Sequence, residues 1–129
     1  MQTNRQIVLV LNSDPQVLKG LMLLLEDMRF QVLPASQWAE LENNASKLSG
    51  CPALMLLPFE TDTHNSGIDL VRKLRLIFNY RIPAILLCHE NGHAPEQYID
   101  EEVMVLSYRN SPQQLRNTIM RMLHNESVV

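Results

Sequence analysis

The chain has 129 residues, 46% of them hydrophobic and 19% charged, with a formal net charge of −3. That length supports one domain with a real core, the apolar content excludes disorder, and the acidic surplus lacks the footprint of a nucleic-acid or anionic-membrane binder. Two cysteines, Cys51 and Cys88, make no disulfide scaffold and suit a reducing cytoplasm; the N-terminal apolar run, Ile7 to Leu11, is too short for a signal peptide or a membrane span.

That first run, Ile7-Val8-Leu9-Val10-Leu11, is continuous and rich in β-branched residues, as a strand buried on both faces requires. Asn12-Ser13-Asp14-Pro15 then breaks it. Asp14 suits an N-cap and Pro15 a first helical position, which predicts a helix from there to about Met28. Phe30 to Leu33 reads as a second strand, limited by Pro34. A second helix is expected over about 37–48, with Trp38, Leu41, Ala45 and Leu48 on one face and Gly50 near its end.

Ala53 to Leu57 is a third strand, and the polar stretch 58–67 a loop. Ser66 can cap a helix whose Ile68, Leu70, Val71, Leu74 and Ile77 face inward. Pro83 to Cys88 is a fourth strand, followed by the loop HENGHAP and a short helix over about 96–102. Val103 to Leu106 is a fifth strand. Ser111-Pro112 repeats the cap-plus-proline device before a helix ending near His124. Alternating strands and helices with no linker predict one doubly wound α/β domain over 1–129, with its core at about 6–124: five parallel strands, five helices, a three-layer flavodoxin-like (βα)5 sandwich.

The ordered segments IVLVLNSDPQVLKGLMLLLEDMRFQVLPA, CPALMLLPFE, SGIDLVRKLR, RIPAILLCHE and VMVLSYRNSPQQL resemble the CheY-like receiver domain of two-component signalling. GIDLVRKLR followed by IPAILL is nearest to the terminal receivers of hybrid sensor histidine kinases. The resemblance implies a phosphorelay domain that meets a protein partner, either a histidine kinase core or a regulator of its own pathway, with a homodimer as a further arrangement. It also implies a set of groups at the carboxyl ends of the strands. An acidic pair after the first strand holds Mg²⁺, an Asp ending the third accepts the phosphoryl group, a Thr or Ser ends the fourth, and a Lys follows the fifth.

Residue by residue, this chain departs from that set. The acidic pair falls on Asn12 and Ser13. Asp14 matches the position after the pair. The acceptor falls on Pro58, the Thr/Ser position on Cys88, and the Lys-Pro position on Tyr108-Arg109. Glu60 and Asp62 are the nearest carboxylates to Pro58, yet phosphoryl transfer tolerates little misplacement. The reading is a pseudo-receiver: not an enzyme, needing no cofactor, active through protein contact without phosphorylation.

Two other constellations stand in the sequence. His64, Cys88, His89 and His93 fall in loops opening on one edge of such a sheet, where soft ligands would suit Zn²⁺ and make a metal- or small-ligand-responsive switch. The plainer reading is that Cys88 packs as a small apolar residue and the histidines meet water, and it is preferred. In the first helix, Val17, Leu18, Leu21, Met22, Leu24, Leu25 and Met28 span an arc of roughly 160° at 100° per residue, wider than the stripe of about 100° that one sheet face covers. Leu23 lies further out, among Lys19, Glu26 and Asp27. Met22 and Leu23 are therefore the candidate rim of a partner surface.

Overall fold

The computed structural model describes residues 5–60, 66–89 and 102–127. Five strands, β1 (Ile7–Leu11), β2 (Gln31–Ala35), β3 (Leu54–Pro58), β4 (Ala84–Cys88) and β5 (Val103–Ser107), alternate with four helices, α1 (Pro15–Asp27), α2 (Trp38–Ser46), α3 (Gly67–Phe78) and α4 (Pro112–Ser127). The strands form one parallel sheet in the order β2-β1-β3-β4-β5. The short helix expected at 96–102 lies outside the described residues, apart from Glu102.

The continuous apolar runs make sense once the sheet is covered on both sides. Side chains alternate along a strand, so each run feeds two cores. Leu9, Met55, Leu57, Ala84 and Leu86 join Leu41 and Ala45 of α2 and Leu70, Val71 and Leu74 of α3. Val8, Val10, Leu54, Leu56, Ile85 and Leu87 face the other way, onto Leu21 and Leu25 of α1 and Leu115 and Ile119 of α4.

Helix starts are set by local chemistry. The Asp14 carboxylate accepts from the backbone N–H groups of Gln16 and Val17. Ser66 and Asp69 form a reciprocal capping box on α3, and Ser111 and Gln114 exchange the same pair of bonds on α4. The start of α3 is also held against the end of β3. The N–H of Gly67 donates to the Phe59 carbonyl, and a Cβ on Gly67 would come within 2.3 Å of the Pro58 carbonyl oxygen, so only glycine fits.

Three expectations need correction. Pro34 does not limit β2, which continues through it to Ala35. β2 is an edge strand bonded to β1 alone, where a residue without N–H is tolerated. Ile77 is not inward: it is 40% exposed. Phe78, four residues after Leu74, takes the inward place in the last turn and packs on the core, leaving Ile77 about 100° around from it at the outer edge of the apolar arc. The last helix runs past His124 to Ser127.

Candidate functional site

In a parallel sheet of this kind the carboxyl ends of the strands open together, and loops there build the site. Here they border an open cleft of about 1080 Å³. Its wall includes Asn12, Ser13 and Asp14 after β1, Pro58 and Glu60 at the end of β3, Cys88 and His89 at the end of β4, and Tyr108 after β5; Trp38 of α2 closes one side. All six positions matched to the receiver set by sequence therefore converge.

The chemistry they offer is largely neutral. Asn12 is 5% exposed and fully engaged. Its Nδ2 donates to the Tyr108 phenol oxygen at 2.8 Å, its Oδ1 accepts from the Asp14 N–H at 3.0 Å, and its own N–H donates to the Ala35 carbonyl. The Asn12–Tyr108 bond joins the ends of β1 and β5, which have β3 and β4 between them. Tyr108 is anchored further by its N–H, which donates to the Cys88 carbonyl at 2.9 Å, and by its ring, whose centroid lies 4.5 Å from that of His89. Burial pushes the Tyr108 phenol above its ordinary range; the bond from Asn12 opposes this, and the nearby Cys88 and Asp14 add to it.

Carboxylates are scarce. Asp14 is committed to capping α1, and Glu60 is exposed, beyond the strand end. Pro58 carries no side-chain nucleophile. The donor set does not fit the Mg²⁺ that the receiver resemblance implies: the Oδ1 of Asn12 already holds a backbone N–H, Ser13 is exposed, and Pro58 offers no side-chain oxygen. Arg109, beside Tyr108, is exposed, with its N–H donated to Ser107 Oγ.

Of the alternative metal set, His64 and His93 lie outside the described residues. Cys88 is buried, and exposed His89 lies against Tyr108. Among the described residues no three His, Cys, Asp or Glu side chains could hold one ion. Away from the cleft, Leu23 is 59% exposed and Met22 is half-buried outside both apolar clusters. Sequence reasoning named Asn12 and Tyr108 as departures from the receiver set without foreseeing their bond. It also missed the exposure of Leu76 and Tyr80, although Leu76 sits off the apolar stripe of α3 by simple periodicity.

No family model matches this chain, and no curated protein matches it in sequence. Solved structures do resemble it. A response regulator receiver protein from Sinorhizobium medicae superimposes with a TM-score of 0.79 at 15% identity, covering 94% of this chain and 96% of that one. A response regulator receiver domain protein from Clostridium thermocellum gives 0.79 at 19% identity, over 95% and 97%. A chemotaxis protein from Vibrio cholerae gives 0.77 at 18% identity, over 93% and 100%. The chain has the CheY-like receiver fold.

Proposed function

We propose that this chain is a phosphorylation-independent receiver module of two-component signalling, acting by binding a protein partner in the cytoplasm. The observation that carries the reading is the Asn12–Tyr108 hydrogen bond. It puts neutral, mutually satisfied groups where phosphoryl transfer would need an acidic pair and a cation. Pro58 at the acceptor position supports the same conclusion. The partner is a histidine kinase core, with this domain attached to a hybrid kinase, or a regulator of the same pathway. The rim of α1 at Met22 and Leu23 is the face assigned to it, because Leu23 spends an apolar side chain on water.

Acetyl phosphate with Mg²⁺ tests the reading directly. Intact mass should stay unchanged, and Mg²⁺ with beryllofluoride should leave the melting temperature where it was. Pro58→Asp alone should remain unmodified, since the metal and the transferred oxygens would still lack their ligands. A hydroxylamine-labile gain of one phosphoryl group in the unaltered protein would overturn the proposal. A rise in melting temperature with Zn²⁺ instead would favour the metal-responsive alternative.

A further inference from the structure

The C-terminal end of α3, the end opposite the Ser66 and Leu70 that border the cleft, carries the largest exposure of apolar side chain in the described structure. Leu76 is 81% exposed, Tyr80 53% and Ile77 40%. The three are presented on a rigid mount. Asn79 takes a left-handed conformation (φ 52°), and the N–H groups of Asn79 and Tyr80 return to the carbonyls of Leu76 and Arg75, the double bond pattern that closes a helix firmly. The Arg75 guanidinium then donates twice to the Ile82 carbonyl, at 3.2 and 3.1 Å, tying the following turn to the helix. Apolar groups held this way lose little further freedom when something covers them.

The segment that carries them is basic. Four of the chain's eleven lysines and arginines fall within 72–81, a stretch without a single Asp or Glu, in a protein whose net charge is −3. Arg72 and Lys73, one turn before Leu76, lie on the same side of the helix as it does. Arg72 is 74% exposed and only loosely paired with Asp69, at 3.8 Å, and Lys73 lies over the Trp38 ring at 5.7 Å. Exposed pairs of this kind are worth so little that an incoming carboxylate can replace them. Arg81 is tied to Glu102 at 3.1 Å, on the far side of Tyr80 in sequence.

We propose that this patch docks an acidic amphipathic helix of a partner protein, with its leucine stripe on Leu76, Ile77 and Tyr80 and its carboxylates on Arg72 and Lys73. A symmetrical pairing of two copies through this face would oppose like charges. An anionic bilayer would have to attract a domain that is acidic overall, through an apolar stripe barely longer than one helical turn. Its apolar centre, Leu76, Ile77 and Tyr80, lines neither the α1 rim nor the cleft, so it stands whether or not the cleft has lost phosphoryl chemistry.

The test uses the whole chain and a fluorescent helical peptide with leucines at i, i+3, i+4 and i+7 and glutamates elsewhere, beside a scrambled peptide of equal composition. Saturable binding of the periodic peptide is expected below about 1 mM. Leu76→Glu should weaken it at least about tenfold while melting as the parent does, because the side chain is on the surface. Tyr80→Ser should weaken it as well. Raising ionic strength from about 0.01 M to about 0.15 M should weaken it further. Four results would overturn the proposal: no saturable binding, equal affinity for the scrambled peptide, indifference to Leu76→Glu, or a Leu76-dependent affinity for phosphatidylserine vesicles or a second copy in place of the peptide.

Discussion

The middle of the sheet and its carboxyl edge lie two residues apart along every strand, yet they obey different rules. In β3, Leu56 is completely buried and packs with Val8, Val10 and Ile85 toward α1 and α4, while Pro58 ends the strand at the open cleft. The interior is fixed by apolar area and close packing, which depend on no catalytic group. The edge is fixed by a handful of hydrogen bonds that could be exchanged without disturbing the layers beneath. Hence identities of only 15–19% accompany TM-scores of 0.77–0.79, and hence the same frame can carry Asn12, Ser13 and Pro58 at its edge.

The largest expected effect belongs to the interior. Leu56→Ala removes methyl groups from a site with no solvent access and leaves a cavity between strand and helix. It should lower unfolding free energy by about 2–5 kcal/mol, measured by urea titration at constant m-value. A loss well under 1 kcal/mol would mean that the centre of the sheet is as tolerant as its edge, and the contrast would fail.

The edge should respond more modestly, and through one pair. Tyr108→Phe strands the Asn12 Nδ2 in a buried position at a cost of about 1–3 kcal/mol. Asn12→Ala should cost a similar amount, since it also releases the Asp14 N–H. Combined, the two changes should cost less than their sum, because each alone already breaks the bond. The phenol adds a pH signature. Its folded-state ionisation is raised by burial, so its contribution is fully present below about pH 10, where the phenol of the unfolded chain begins to ionise, and is lost as pH rises toward the higher folded value. The parent should therefore lose stability more steeply above that pH than Tyr108→Phe. Additive single changes with parallel alkaline curves would mean that the strands are not braced by this bond.

These two regions also differ in how far the sequence exposed them. The interior was legible because its signals are local: unbroken apolar runs, Asp14-Pro15 and Ser111-Pro112 at helix starts, and Ser66 before α3. The proline at the end of β3 was equally legible, and it has no side-chain nucleophile in any conformation. The bond from Asn12 to Tyr108 was not, because it spans 96 positions and depends on which rotamers meet over the sheet. Ile77 was misplaced for a related reason: periodicity gives an angle around the helix, and Phe78 decides which edge of that arc touches the sheet. Pro34 was read as a stop because edge position, the property that permits it, emerges only from strand order.

The smallest effect should come from the outer face of α1. Asp27 pairs with Arg116 across α1 and α4, and that hydrogen bond, more than the charge alone, holds its carboxyl below the ordinary carboxylate range. The Asp27 carboxylate is exposed, so water and salt screen the attraction. Any stability it adds is present above the ordinary carboxylate range and lost as pH falls from there through the lower folded-state value, because protonation removes the charge that Arg116 attracts. Asp27→Asn should accordingly leave the melting temperature within about a degree at physiological salt, and any small loss seen at low salt should begin to fade as pH falls below about 4. Leu23→Glu, one turn earlier on the same helix, should be as silent in melting, for its side chain already faces water. Should it unfold the protein instead, Leu23 would belong with the interior, and the outer face of α1 could not serve as a partner surface.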